Sequence, residues 1–216
     1  MDVLNIISHI GVILLIINTI VYLIGFIKNN KAYKYFSVYL LCISTIQVAM
    51  TLLAYHSYNN HFLSGYYLFA QFILLSCFFY HQFLPLSKKK SVLVKYLTTA
   101  VTVALIVHYF LEPGLYFSIN PLGFLITSVI LVAYSVMYLF EHLTQKLPFN
   151  YVTIGIFMYL ISSAIIFATS TTVIELVTLS NDMFKCIWII NAVLCIIYQL
   201  LILWEWKQHF FRQTIK

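Results

Sequence analysis

Seven long apolar segments occupy almost all of this 216-residue chain, and most of its basic residues lie in the gaps between them or after the last one. The segments cover residues 3–27, 35–56, 65–86, 92–111, 121–140, 151–170 and 183–206. A membrane-spanning helix needs about 20 predominantly apolar residues, whereas the strands of a membrane β-barrel are short and alternate in polarity. The pattern therefore predicts an all-α protein, a single polytopic bundle of seven transmembrane helices.

The amino-acid composition also indicates that the chain is surrounded by lipid. Hydrophobic residues make up 62% of it and charged residues only 8%, against roughly 25% charged residues in ordinary soluble domains. So few polar groups cannot cover a soluble globule of this length. The lipid bilayer is the expected surrounding, and the seven segments leave no room for a soluble domain.

The distribution of positive charge predicts an orientation. Eleven of the twelve lysine and arginine residues fall in alternate gaps, just beyond one of them, or in the final tail. They are Lys28, Lys31, Lys34, Lys88, Lys89, Lys90, Lys95, Lys146, Lys207, Arg212 and Lys216. Because basic residues beside membrane segments are retained on the cytoplasmic face, we expect the N-terminus outside and the C-terminus inside. Only Lys185 falls on the other side.

The same lysines bear on partners and location. The net charge of +6 follows from topology signals in the loops, so nucleic-acid binding is not expected. Lysine far outnumbers arginine, which is typical of an AT-rich bacterial genome, and the bacterial cytoplasmic (inner) membrane is the expected location. Five residues at the inner rim are predicted to contact anionic lipid or a protein partner: Lys88, Lys89, Lys90, Lys207 and Arg212.

Aromatic residues and prolines mark the expected segment ends. Aromatic side chains gather at membrane interfaces, and this predicts inner-interface positions for Tyr33, Tyr35, Phe149, Tyr151, Trp204 and Trp206, and outer ones for Tyr58, Tyr66, Tyr109, Tyr116 and Trp188. Pro121 suits the first turn of helix five, and residues 112–114 form a turn. Residues 171–182 either extend helix six or lie along the outer surface.

Polar side chains inside the apolar segments are the candidate functional residues. Unsatisfied polar groups in hydrocarbon cost several kcal/mol, roughly, so these side chains should face protein. Steps of three and four place Trp188, Asn191, Cys195 and Tyr198 on one stripe of helix seven. A ligand pocket would be lined by Asn18, Gln47, Gln71, Asn191, Tyr198 and Gln199. The alternative is that they are only hydrogen-bond partners between helices.

No pattern predicts catalysis, a metal site or a cofactor. No acid or base lies at the centre of a segment, which argues against a proton or ion pump, and no nucleophile motif is present. His9, His56, His61 and His108 fall toward the outer face, but their spacing matches no metal motif. The adjacent Glu141 and His142 lie at the inner end of helix five. A non-enzymatic protein is expected.

The segments that form helices three, six and seven resemble a group of small bacterial seven-helix integral membrane proteins. The similar stretches are residues 66–72 (YYLFAQF), Asn150 and Tyr151 leading to residues 154–156 (IGI), and Trp188, Asn191 and Tyr198. In that group an acid is frequent at the position of Gln71 and a histidine at that of Asn191. Both are neutral amides here. The resemblance implies a shared seven-helix architecture and brings no activity with it.

Three functions remain open at this stage. The first is a sensor or receptor-like module that detects a small neutral ligand, or the membrane itself, and acts through a cytoplasmic or membrane partner. The second is a small-solute transporter, whose cavity must open alternately to each side. The third is a structural or assembly subunit of a membrane complex. A polar cavity around Gln47, Gln71 and Asn191 would favour the first two, and a packed core would favour the third.

Overall fold

The computed structural model of the chain describes the backbone of residues 3–176 and 181–211 and the side chains of residues 7–168 and 189–211. Within those ranges it is all-α, with seven long helices. They are α1 (Val3–Ile24), α2 (Lys31–Tyr55), α3 (Phe62–Phe83), α4 (Lys88–Leu111), α5 (Pro121–Thr144), α6 (Asn150–Leu176) and α7 (Asn181–Glu205). Each is long and apolar enough to span a membrane, which supports an integral, multi-pass membrane protein.

Local capping explains where several helices begin. The side chains of Asn30 and Ser87 accept hydrogen bonds from backbone N–H groups in the first turns of α2 and α4. Asn120 does the same for α5, with Pro121 in the first turn as predicted. Because both capping residues precede lysines, α2 and α4 begin at Lys31 and Lys88, four residues before the apolar segments expected at 35 and 92.

Two connections differ in detail from the expected ones. The predicted turn after α4 is a short 3-10 helix, Pro113–Phe117. Helix α6 continues to Leu176, so the first of the two alternatives for this segment applies as far as that residue. Residues 177–180 lie outside the described part of the chain, as do the side chains from 169 to 188.

Six of the helices form a closed ring in which each contacts its neighbours. The order around the ring is α1, α2, α3, α5, α6 and α7, with α7 returning to α1. Helix α4 lies outside this ring and packs mainly on α3. Only 17% of α4 is buried, against 44% of α3 and of α5, so most of its apolar side chains face outward. In a bilayer that outward face is solvated by lipid.

The two ends of the bundle are packed differently. We call the end that contains residues 28–34 and 88–90 the lysine end, and the opposite end, where α1 begins, the amino-terminal end. At the lysine end six buried rings, here called the aromatic cluster, fill the space between helices: Tyr22, Tyr33, Phe36, Phe78, Phe149 and Phe210. Phe210 lies 4.8 Å from Tyr33 and 4.9 Å from Phe149, measured between ring centroids.

This cluster corrects three sequence-based expectations. Tyr33 and Phe149 were predicted to mark the inner interface, but both are fully buried in the core. The chain was expected to leave the membrane as a basic tail after Trp206. Instead a π-helical turn, Trp206–Phe210, follows α7 and carries Phe210 into the cluster. Aromatic identity alone did not distinguish a ring at the interface from one packed inside the bundle.

Candidate functional site

A cavity of about 330 Å³ lies between the helices in the amino-terminal half of the bundle. It is lined from α1 by Ile7, Ser8, Gly11, Val12 and Leu15, from α2 by Tyr39, Ile43 and Gln47, from α3 by Tyr67, from α6 by Tyr159, and from α7 by Asn191, Ala192, Cys195, Tyr198 and Gln199. Five of the six ring helices therefore contribute to it. Its volume falls in the usual range for small-molecule sites, about 300–1,000 Å³.

Four tyrosines form much of the wall of this cavity. Tyr159 and Tyr198 stack with their ring centroids 5.6 Å apart and an angle of 11° between planes. The other two members are Tyr39 on α2 and Tyr67 on α3. The buried Tyr198 hydroxyl itself does not reach normal hydrogen-bond geometry with any residue that the structure describes.

A glycine on α6 makes room for the Tyr198 ring. A Cβ atom at Gly155 would lie 2.5 Å from Cδ2 of Tyr198. Because real Cβ contacts are never this short, only glycine lets α6 and this ring approach so closely. Gly155 belongs to the IGI stretch noted in the sequence. Its role is to seat one wall of the cavity.

Asn18 and Gln199 join the first helix to the last beside the cavity. Nδ2 of Asn18 donates to the backbone oxygen of Gln199 at 2.8 Å and to its Oε1 at 2.9 Å. The backbone oxygen can only accept, so Asn18 must present its amino group. Gln199 must then present its side-chain oxygen to the same group. The amino group of Gln199 consequently remains for the cavity, where it lies beside the Cys195 thiol.

The other amides have different surroundings. Ser163 on α6 donates to Oδ1 of Asn191 at 3.3 Å. Gln47 is half-buried and lines the cavity from α2. Gln71 is also buried, at 5% exposure, but it is not among the residues that line the cavity, and its Oε1 has no partner among the described residues.

The structure thus brings together four of the six residues predicted for a pocket. Gln47, Asn191, Tyr198 and Gln199 line one cavity, and Asn18 lies directly behind Gln199. Gln71 is elsewhere in the core. The helix-seven stripe is present as far as it can be followed, because Asn191, Cys195 and Tyr198 all face the cavity. The side chain of Trp188 lies outside the described residues.

Sequence reasoning missed the tyrosines contributed by α2, α3 and α6. One signal was available, because Tyr39, Ile43 and Gln47 follow one another at steps of four and so share one face of α2. Tyr67 follows Tyr66, and the sequence does not show which ring points inward. In the structure Tyr66 is 66% exposed, while Tyr67 lines the cavity.

The comparisons with known proteins add no relative. No family model, no curated protein and no solved structure matches the chain. The resemblance to small bacterial seven-helix proteins therefore stays a prediction.

A second polar site, at the lysine end, was not foreseen. Glu205 is fully buried at the end of α7. Its Oε1 accepts from the backbone N–H of Phe149 at 2.7 Å, and its Oε2 accepts from that of Tyr151 at 2.8 Å. His209 approaches the same carboxyl group at 2.8 Å. A carboxyl group at the start of α6 is well placed, because the first N–H groups of a helix have no partner within it.

Glu205 also stabilises an unusual backbone conformation at Phe149. Phe149 has a φ of 66°, a value that residues other than glycine rarely adopt. Its N–H is bound by Glu205, its carbonyl accepts from Thr153, and its ring sits in the aromatic cluster. These contacts fix the entry into α6. The partners of the Glu205 carboxyl group described above all belong to this chain, so we interpret the site as a structural clamp between α6 and α7.

The basic residues that the sequence predicts at the inner rim have unequal surroundings. Lys88 and Lys89 are exposed. Lys90 is half-buried and forms an ion pair with Glu141, with a nitrogen–oxygen distance of 2.5 Å, so its charge is partly satisfied within the protein. Lys207 is exposed and lies 5.8 Å from the centre of the Trp204 ring. Arg212 lies outside the described residues.

A groove of about 440 Å³ runs between α3 and α4, lined by Ser76, Cys77, His81, Lys95, Thr98 and Thr102 among others. Among the residues that the structure describes, no three histidine, cysteine or acidic side chains are grouped closely enough to hold a metal ion.

Proposed function

We propose that this protein is a non-enzymatic sensor or receptor-like module of the bacterial cytoplasmic membrane, with its N-terminus outside and its C-terminus in the cytoplasm. In this proposal a small, neutral or weakly polar ligand enters the cavity between α1, α2 and α7. A cytoplasmic or membrane-bound protein partner then responds to the resulting change in the bundle.

The cavity is the observation that carries the proposal. It has a suitable volume, mostly apolar and aromatic walls, and a few polar groups that can orient a ligand. A packed core without such a space would have favoured an assembly subunit. The amides Gln47, Asn191 and Gln199 all belong to this one space.

The route from cavity to cytoplasmic face supports a signalling role. Helix α7 lines the cavity at Asn191 and Tyr198 and, farther along, holds the start of α6 through Glu205. A ligand that shifts α7 would therefore act on α6 and on the aromatic cluster. The exposed Lys88, Lys89 and Lys207 at that end offer positive charge to a partner or to anionic lipid.

Transport is less well supported than sensing. A transporter needs a path to both sides of the membrane, whereas the buried rings of the aromatic cluster fill the lysine end of the bundle. Transport therefore stands as the alternative, and it requires these rings to separate in another conformation.

A pair of neighbouring substitutions tests the proposal. Ala192 lines the cavity, while Val193 is 41% exposed on the outer side of α7. Ala192→Phe should fill the cavity, and Val193→Phe should add the same ring on the lipid-facing side. We expect a small molecule to co-purify with the wild type and with Val193→Phe, and to be absent from Ala192→Phe, when extracts are compared by mass spectrometry.

Two outcomes would count against the proposal. If all three proteins carry the same small molecules in equal amounts, the cavity is not a binding site. If the identified compound accumulates inside proteoliposomes that contain the wild type but not Ala192→Phe, the protein transports it, and the alternative replaces the sensor.

A further inference from the structure

The hydrogen-bonding groups of the cavity restrict its ligand more closely than its volume does. Two amides on α7 line it, and both already use their oxygen atoms. Oε1 of Gln199 is bound by Asn18, and Oδ1 of Asn191 is bound by Ser163. For Gln199 this assignment is forced by the backbone carbonyl that shares the Asn18 amino group. The amino groups of Gln199 and Asn191 are therefore the N–H donors that these two amides offer to a ligand.

The tyrosine hydroxyls add further donors. Each of those around Tyr198 can donate as well as accept, and the Tyr198 hydroxyl is buried at 3% exposure without a normal hydrogen bond among the described residues. Among the side chains that the structure describes, no aspartate, glutamate, lysine or arginine lines the cavity. Burial of an ion without an opposite charge is costly. An uncharged ligand with hydrogen-bond acceptors fits this set.

The tyrosines indicate the shape of the ligand. Tyr159 and Tyr198 are parallel to within 11°, and flat aromatic walls favour stacking with another flat ring. Aromatic walls can also hold an organic cation. The exposed hydrogens of donor N–H groups carry partial positive charge and would repel such a cation. The amide donors, with no acidic side chain among the described lining residues, therefore favour a neutral ring.

We propose that the cavity binds an uncharged planar ring bearing carbonyl acceptors, a class that includes the quinones. The carbonyl oxygen accepts from the Gln199 amino group, with Asn191 as a second donor, and the ring lies against the tyrosine wall. This inference rests on the proposed ligand-binding function and specifies the chemistry of the same cavity.

Three small probes test the ligand class without altering the protein. Duroquinone has two carbonyl groups on a fully methylated ring, durene is the hydrocarbon of the same outline, and phenyltrimethylammonium is an aromatic cation. Because duroquinone has no unsubstituted ring carbon, addition of the Cys195 thiol is disfavoured. Binding is measured by equilibrium dialysis on protein in lipid nanodiscs, with Ala192→Phe nanodiscs as the reference for partition into lipid.

We expect duroquinone to bind at least tenfold more tightly than durene, since two net hydrogen bonds contribute about a factor of ten or more. We also expect no specific binding of the cation. Equal binding of duroquinone and durene would overturn the acceptor requirement, and tighter binding of the cation would overturn the neutral class. Failure of all three probes would overturn the class as well.

A substitution supplies an independent check on the donor. Gln199→Met removes the side-chain donor, while Asn18 keeps the backbone oxygen of residue 199 as a partner, so duroquinone affinity should fall about tenfold or more. Tyr66→Phe removes an exposed hydroxyl that does not line the cavity and should leave the affinity unchanged. Unchanged affinity in Gln199→Met would contradict the proposal.

The two proposals can fail separately. If a co-purified molecule disappears in Ala192→Phe while no quinone binds, the cavity is a ligand site and only the chemical class is wrong. If Ala192→Phe changes neither co-purification nor probe binding, both proposals fall.

Discussion

Glu205 is a buried carboxyl group whose surroundings satisfy it from several directions at once. It accepts from the N–H groups of Phe149 and Tyr151 and lies beside His209. The same contacts satisfy two donors at the start of α6 that would otherwise be unpaired. The residue therefore stabilises two helices through one side chain, although it occupies the end of an apolar segment where an acid is unexpected.

Removal of this side chain should destabilise the fold measurably. Glu205→Ala leaves the N–H groups of Phe149 and Tyr151 without their partner, and each unsatisfied buried donor costs about 1–3 kcal/mol. We expect a loss of about 2–5 kcal/mol of unfolding free energy, measured by denaturant titration of the purified protein in detergent micelles.

The partly exposed ion pair is the matched control. Glu141→Ala removes the partner of Lys90, whose side chain is 33% exposed. Pairs of this kind contribute about 0–1 kcal/mol, so its effect should be clearly smaller. Equal effects of the two substitutions would show that Glu205 is not the clamp described above.

At the scale of helices, the contact between α6 and α7 depends on Gly155. A methyl group there would meet the Tyr198 ring at 2.5 Å. Gly155→Ala should therefore push the ring or separate the helices and lower the melting temperature. Gly11→Ala is the control, because its Cβ would meet only the Cys195 sulfur at 3.9 Å, an ordinary contact.

The cause of the effect can be isolated with a double-mutant cycle. In a Tyr198→Ala background the obstructing ring is absent, so Gly155→Ala should become neutral or slightly stabilising, as alanine is favoured over glycine in a helix by roughly 1 kcal/mol. If Gly155→Ala destabilises equally in both backgrounds, its cost does not come from the tyrosine.

The elements themselves were largely predictable, because seven apolar segments of bilayer length have no other regular solution. Helices α2 and α4 begin earlier than predicted, because the capping residues Asn30 and Ser87 lie before the apolar segments and hydropathy does not detect caps. The inward stripe of α7 followed from helical spacing. The exclusion of Gln71 from the cavity did not, because the rotation of α3 depends on packing with three other helices.

The candidate site was predictable in its amides but not in its walls. Polar side chains in apolar segments are conspicuous, so Asn191 and Gln199 could be selected from sequence. Tyr39 and Tyr159 are not conspicuous, because tyrosines are common at membrane interfaces and the chain contains 17 of them. Glu205 was missed because Trp204 and Trp206 marked its position as an interface.

At the scale of the whole molecule, the lysine end should face the cytoplasm. Replacement of Cys42, Cys77, Cys186 and Cys195 by alanine provides a background without thiols. In it, Asn59→Cys places an exposed thiol at the amino-terminal end and Lys89→Cys places one at the lysine end. A membrane-impermeant maleimide should label only Asn59→Cys in intact spheroplasts and both variants after permeabilisation.

The reverse labelling pattern would invert the proposed orientation and place the cavity in the cytoplasmic half of the bundle. Labelling of both thiols in intact spheroplasts would indicate mixed insertion. In that event the lysine distribution would not determine the topology of this chain.

The clamp and the amide pair also bear on how the protein is made. The hydrogen-bond partner of the Asn18 side chain is Gln199, which is 181 positions later in the chain. The partner of the Phe149 N–H is Glu205, which is 56 positions later. During synthesis from the N-terminus, the earlier helices would thus enter the bilayer with polar groups still unpaired. Insertion of α7 completes both sets of bonds. A ribosome stalled before this helix would leave a chain in which the Asn18 amide and the Phe149 N–H lack these partners.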